Sequence, residues 1–344
     1  MNIVELYQTR TMLGAVENIP TNESFLIDTF CGASETFPTN SIDIDFVKGK
    51  KKMSPFVSKY VNGIQVERNV VATKNYEPPK IQPSRALTVE TLEQRLAGEA
   101  LYSNKTPAQR AADILIKDLA ELKGMNHRRK EWMIAQVLFN GHFVANVHSD
   151  KNNYVEETFD YGHTFATDVA KKWSAADSDP LADLQKESTK IATSCGKRPN
   201  IVVMNDVTAQ AFLDNPKVQE YFDKYNINLG TIQPSIKSTQ VQFIGKLLRP
   251  DVEIYAYTES YVDDEGTLHT YVPDGKVLIG CTKIFSFKYA SHTQMEKGEF
   301  KTYMGEDIPK YDAVDADNAA KLTLTSKPVP VPFDVDSWAT LSVL

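Results

Sequence analysis

The sequence predicts an α+β protein of about two domains, and three observations carry that prediction. Residues 107–139 repeat apolar side chains at three–four spacing, the signature of one long amphipathic helix. From about 176 onward, short apolar runs separated by turn residues read as strands interleaved with shorter helices. Between them in character lies a basic, extended arm over 48–85, with hairpin punctuation and no obvious core of its own. Its nine Lys/Arg stand against Glu67 and Glu77, a balance of +7 on a chain of −7, so the remainder carries −14. A positive arm on a negative body suggests a protein that reaches onto copies of itself.

The 344 residues, 42% hydrophobic and 24% charged, have ordinary globular composition. The N-terminus MNIVELYQTRTMLGAVENIP has no basic flank followed by an apolar stretch, so no signal peptide is expected. No apolar run approaches the ~18 residues of a membrane span, and synthesis in a cytoplasm is expected. Cys31, Cys195 and Cys281 lie far apart with no CxxC or CxxH partner and read as small buried hydrophobes. The acidic total argues against a tight grip on nucleic acid while permitting a surface that lies beside packed DNA.

Taken in order, SIDIDF alternates and predicts a strand at about 41–47. VSKYVNGIQVER alternates on both sides of Asn62-Gly63, a two-residue hairpin signal. An isolated two-stranded hairpin is marginal in water, so this one needs its own body or a neighbour to lie on. Pro78, Pro79 and Pro83 return the chain in extended form. Thr106 reads as the N-cap and Pro107 as the first turn of the long helix. Its expected inward positions are Ala108, Ala112, Leu115, Leu119, Leu122, Met133 and Val137. The cluster His127-Arg128-Arg129-Lys130 interrupts them and reads as a solvated face, with an inter-subunit or DNA-facing patch as the alternative.

Asp179-Pro180 opens a further helix ended by Gly196. NIVVMN (200–205) is a buried strand, and Asp206 and Asn215-Pro216 each begin a short helix. VQFIG (241–245), VEIYAYT (252–258), the Asp263-to-Gly266 hairpin and VLIGC (277–281) supply further strands. The stretch 251–265 has six acidic residues and no Lys or Arg, a counterpart to the basic arm. The apolar C-terminal WATLSVL is expected to dock in a sheet.

Catalytic signatures are missing from this order. There is no GxxxxGK[ST] loop, no GxGxxG after a strand, no GxSxG elbow and no HExxH. His142 and His148 are six apart on a non-helical stretch. Asp312, Asp315 and Asp317 lack the spacing and glycine of a calcium loop. Asp177, Asp179 and Asp183 sit where helix capping explains them. The expectation is no catalytic residue, no cofactor and no metal.

The order of parts resembles the major capsid proteins of tailed bacteriophages with the Hong Kong 97-type fold, and is most similar to the lambda-like head protein family. Three stretches carry the resemblance: SPFVSKYVNGIQVERNVVATKNYEPPKIQPSRALT; the helix exit WMIAQVLFNGHF with Trp173 and Asp179-Pro180-Leu181; and YVDDEGTLHTYVPDGKVLIG. The resemblance implies an N-terminal arm and the start of a peripheral domain over 1–45, and an extended hairpin loop over 46–90. It places a peripheral domain with its spine helix over 91–175, an α/β axial domain over 176–280, and a return to the peripheral domain over 281–344. It implies self-assembly of pentamers and hexamers into an icosahedral shell around double-stranded DNA, through a procapsid that expands. Implied partners are a separate scaffolding protein, a portal vertex, a decoration protein on some shells and non-specifically held DNA, with no membrane. The implied location is the virion, after assembly in the host cytoplasm. Candidate interface residues are Lys50, Lys51, Lys52, Lys59, Asn62, Gly63 and Arg68 on the arm, and Asp263, Asp264 and Glu265 on the acidic turn. Covalent cross-linking through Lys59 or Lys74 is not expected in this branch. Two alternatives remain at this point: a cellular nanocompartment shell of the same fold enclosing cargo enzymes, and an α+β enzyme with an unrecognised site.

Overall fold

A computed structural model describes residues 7–20, 24–47, 71–93, 105–148, 154–224, 236, 239–263, 265–296, 298–314 and 319–344. The long helix spans Pro107–Asn140, 34 residues. It begins where a capping box forms: the Thr106 hydroxyl accepts from Gln109 N at 3.3 Å and the Gln109 side chain accepts from Thr106 N at 3.0 Å. It ends at Gly141, whose φ of +78° is left-handed. Its buried stripe steps through Ala111, Leu115, Leu119 and Leu122, so Ala111 takes the place expected of Ala108 and Ala112, which are half-buried. This stripe meets Met12 and Val16 of the helix Thr9–Asn18 and Leu322 and Leu324 of the strand Ala319–Thr325, forming a small separate core.

The basic cluster on the helix departs from expectation. The three–four step from Leu122 continues through Asn126 and Lys130, which are 0% and 4% exposed. Lys130 therefore points inward and is neither a solvated face nor a surface patch. Only Arg128 of the four is exposed, while Arg129 lies 5.3 Å from the Trp132 ring.

Beyond the helix, a six-stranded sheet runs in the order Ala166–Asp168, Trp338–Ser342, Lys276–Gly280, Ile201–Met204, Val252–Tyr257, Val241–Leu247. Ile201–Met204 pairs in parallel with Val252–Tyr257 and antiparallel with Lys276–Gly280. The C-terminal strand docks here as expected, between Lys276–Gly280 and Ala166–Asp168. Successive residues of a strand face opposite sides, and the sheet is buried on both. Val202, Met204, Ile254, Ala256, Val277 and Ile279 join one core; Ile201, Val203, Tyr255, Tyr257 and Leu278 join the other. The helices Pro180–Cys195, Asp206–Leu213 and Pro216–Lys224 cover the first face through Leu184, Ile191, Phe212 and Val218. The end of the long helix and the helix Phe25–Phe30 cover the second. Gly280 is required at the strand seam: a Cβ there would lie 2.9 Å from Trp338 Cβ.

Two three-stranded sheets flank this body. One orders Ile308–Val314, Ala319–Thr325, Ser84–Thr88; the other orders Glu35–Phe37, Phe285–Ala290, Pro328–Pro332. Among the described residues, four two-stranded ribbons project from the three: Ile42–Val47 with Val71–Tyr76, His142–His148 with Tyr154–Asp160, Ser260–Val262 with Leu268–Thr270, and His292–Glu296 with Glu299–Tyr303. The mixture of a long helix, a doubly covered sheet and projecting ribbons is the α+β architecture that the sequence predicts.

Candidate functional site: a buried polar junction and exposed ribbon faces

The middle of the long helix gathers polar groups from three distant segments. The short helix Phe25–Phe30 has no side-chain cap from Ser24, which leaves its first amides without partners. Glu131, 1% exposed, supplies them: Leu26 N donates to Oε1 at 2.8 Å and Ile27 N to Oε2 at 3.0 Å. Tyr257, the last residue of the strand Val252–Tyr257, donates its hydroxyl to Glu131 Oε1 at 3.0 Å. Burial pushes the Glu131 carboxyl up to about 7, against the pull of these three donors. Burial raises the Tyr257 hydroxyl as well, reinforced by Glu131 and Glu259.

One residue earlier, Lys130 Nζ lies 3.3 Å from Asp307 Oδ2 and 4.8 Å from the Tyr289 ring centre. Asn126 Nδ2 donates to Asp307 Oδ1 at 2.7 Å. Trp132 Nε1 donates to the Tyr261 hydroxyl at 3.1 Å. The N-terminal segment, the inserted sheet and the C-terminal segment are thus locked to about two turns of helix. The carboxylates and the ammonium are nearly sealed from solvent and are met by amides and side chains of the chain itself, so the junction holds these segments in register. The step from Leu122 marks Asn126 and Lys130 in the sequence; nothing there marks Asp307 as their partner.

The surface offers projecting ribbons. Three ribbons expose apolar pairs that stand directly opposite in register: Val147 with Val155, Val262 with Leu268, and Met295 with Phe300. Phe300 is 73% exposed. A two-stranded ribbon is marginal alone, its edges carry unpaired backbone groups, and contiguous exposed apolar surface marks interaction sites. These pairs escaped the sequence reading, although HTQMEKGEFKTYM does alternate about a glycine turn.

Of the expected interface residues, Lys50, Lys51, Lys52, Lys59, Asn62, Gly63, Arg68 and Asp264 lie outside the described residues. Asp263 builds its own turn: Oδ1 accepts from Thr267 N at 2.7 Å and Glu265 N at 3.1 Å, and Oδ2 meets His269 Nε2 at 2.7 Å. The bonds to Thr267 and His269 lower its pKa. Glu265 is exposed beside it. The three carboxylates near the inserted helix do not act together, and capping explains only one. Asp179 accepts from Ala182 N at 3.1 Å, Asp183 accepts from Trp173 Nε1 at 3.1 Å, and Asp177 pairs with Lys171. Trp173, which Asp183 holds, lines an open groove with Val207, Gln210, Asp214 and Pro216, and none of the three carboxylates is in its lining. Cys31 and Cys281 are buried, which pushes the Cys281 thiol up to about 11, and Cys195 is half-buried. Among the described residues no cluster of His, Cys, Asp and Glu is arranged to hold a metal ion, and no helix is long and apolar enough to cross a membrane.

The comparison with known proteins decides the family. The model for phage major capsid protein E matches residues 8–343. The chain belongs to the phage major capsid protein E family. It is 22% identical to the major capsid protein of Enterobacteria phage P21 over 345 residues, covering 98% of this chain and 99% of that protein. With the major capsid protein of Escherichia phage lambda it shares 23% identity over 292 residues, 81% of this chain and 82% of that one. The fold is that of the crystal structure described as a prophage capsid protein from E. coli CFT073, with a TM-score of 0.69 at 18% identity, covering 98% and 99% of the two chains. The capsid resemblance read from the arm, the helix exit and the acidic hairpin therefore holds for family and fold. The nanocompartment alternative has less support, because the matched family and these relatives are phage head proteins.

Proposed function

We propose that this chain is the repeating subunit of an icosahedral phage head that encloses double-stranded DNA. Pentamers and hexamers would form on a separate scaffolding protein with a portal at one vertex, in the host cytoplasm, and remain in the virion. The observation that carries this reading beyond family membership is the set of three ribbons with opposed apolar pairs turned to solvent. Each ribbon is anchored on the body by its other residues, as Phe143 and Phe159 anchor one in the core, while these apolar pairs are exposed among the described residues, and symmetric copies of the chain would cover them. In this reading the loop over 46–90 overlaps the adjacent subunit, and Lys50, Lys51, Lys52, Lys59, Asn62, Gly63 and Arg68 approach the turn at Asp263, Asp264 and Glu265 of a neighbour. Residues 176–280, with Ala166–Asp168 and Trp338–Ser342 completing their sheet, meet their copies around the five- and six-fold axes, while the rest of 91–175 and 281–344 forms the peripheral part. The work is mechanical: expansion from procapsid to mature shell turns packed bodies past one another. DNA is held without sequence preference, and a decoration protein is accommodated on the outer surface.

Electron microscopy of the protein expressed with its neighbouring genes tests this. Closed shells of uniform size are expected from the unmodified chain. Phe300→Asp and Val262→Asp are expected to leave folded subunits by circular dichroism but no shells. Small oligomers from the unmodified chain would overturn the shell reading, and normal shells from both variants would overturn the role of the ribbons.

A further inference from the structure

At the base of the extended arm lies a group of cations that neither the cores nor the ribbons account for. After strand Val71–Tyr76 the chain runs antiparallel to the end of strand Ala319–Thr325. Ile81 N donates to Ser326 O at 2.8 Å and Ser326 N to Ile81 O at 2.9 Å. One residue outward along that bridge, Lys80 stands across from Lys327. Lys310 comes from the adjacent strand Ile308–Val314, and His292 opens strand His292–Glu296. Backbone contacts bring His292 to the lysines: Ala290 N, two residues before it, donates to Lys327 O at 3.2 Å, and Gln294 Nε2, two residues after it, donates to Pro309 O beside Lys310 at 3.5 Å. Burial together with Lys80, Lys327 and Lys310 pushes its pKa down to about 4. Burial lowers Lys80 and Lys327 too, and Lys80 is lowered further by its two lysine neighbours.

Compensation within the chain is thin. Lys310 pairs with Asp312 at 2.7 Å. Lys327 donates to Asn40 Oδ1 at 2.5 Å, and Asn40 in turn bonds Glu77, whose charge reaches Lys327. Among the described residues Lys80 has no carboxylate at ion-pair distance. Like charges standing opposite across paired strands are destabilising. A lone carboxylate would satisfy one ammonium; an oxyanion with several acceptor oxygens can meet donors arriving from different segments at once, and lysine binds phosphate as a point charge.

We propose that Lys80, Lys310, Lys327 and His292 form a binding site for a phosphate-class oxyanion that ties the returning segment of the extended arm to the three-stranded sheet. The site lies within one chain, so it stands whether or not the shell reading does.

The test is an NMR titration of the imidazoles in the full-length, unassembled chain, with the His292 signal identified by its loss in His292→Gln. Inorganic phosphate is compared with chloride at equal ionic strength, because general screening would move the titration in both. Phosphate is expected to raise the His292 midpoint by roughly one unit, a tenfold gain in proton affinity. In Lys80→Gln, an exposed position where folding is not at stake, the response to phosphate is expected to fall at least several-fold. A parallel arm with dimethyl phosphate separates sources: a response to phosphate alone assigns the free dianion, and a response to both includes backbone diesters. Equal midpoints in phosphate and chloride would overturn the site, as would a full phosphate response in Lys80→Gln combined with Lys327→Gln.

Discussion

The two halves of the long helix lie on the molecule in different ways. Over residues 107–122 it buries one narrow stripe against Met12, Val16, Leu322 and Leu324 and leaves the rest to solvent, with Ile116 54% exposed. Over residues 130–139 it is buried almost all round, and two of the buried side chains, Lys130 and Glu131, are charged. Apolar burial is non-directional, so the first half is told only which side to lie on. The second half is told which amide, which hydroxyl and which carboxylate to meet, because a buried charge without its partner is costly. The second half is where the parts of the subunit are registered.

The largest effect is therefore expected at Lys130. Lys130→Met keeps the length and apolar stem but leaves Asp307 buried with Asn126 as its remaining partner. Removing one member of a buried pair costs on the order of 3–5 kcal/mol, and a lowered urea midpoint of the subunit reads it. Adding Asp307→Leu should recover much of the loss, since replacing both charges by apolar groups is often neutral. A loss below about 0.5 kcal/mol for Lys130→Met, the range of ordinary surface substitutions, would mean the pair is accessible to water and the comparison fails.

This contrast explains what could be seen in the sequence. Thr106, Pro107 and Gly141 bound the helix through local chemistry, so its 107–139 span was readable to within a residue. The strands around Ile201–Met204 and Val252–Tyr257 were readable because two covered faces demand uninterrupted apolar runs. The inward turn of Lys130 was not, because a charged residue is read as solvated until its partner is known, and Asp307 lies 177 residues away. The cap that Glu131 places on Leu26 and Ile27, across 105 and 104 residues, was hidden for the same reason. The basic arm and acidic turn were visible as charge alone; charge names a complementary surface without saying which chain bears it.

A second effect sharpens the comparison through pH. The Glu131 carboxyl is held up at about 7 from an ordinary 4.5, so between those values the folded chain binds more protons than the unfolded one. Stability from this group is fully present below about pH 4.5 and is lost as pH rises through about 7. Glu131→Gln keeps an acceptor for Leu26 N and removes the charge. The slope of stability against pH between 4.5 and 7 should flatten in the variant, measured by urea unfolding at stepped pH. An unchanged slope would show that Glu131 titrates as an ordinary carboxyl and that the junction is wet.

The smallest effect tests the other half. Thr106→Ala removes one side of the capping box on an exposed first turn, worth about 1 kcal/mol, or roughly a fivefold change in local opening. If the first half is held by local signals and a narrow stripe, amide exchange should accelerate about fivefold over the first helical turn and stay unchanged around Lys130 and Glu131. Faster exchange at both places would mean that the helix opens as one unit, and that the polar junction does not isolate the parts it joins.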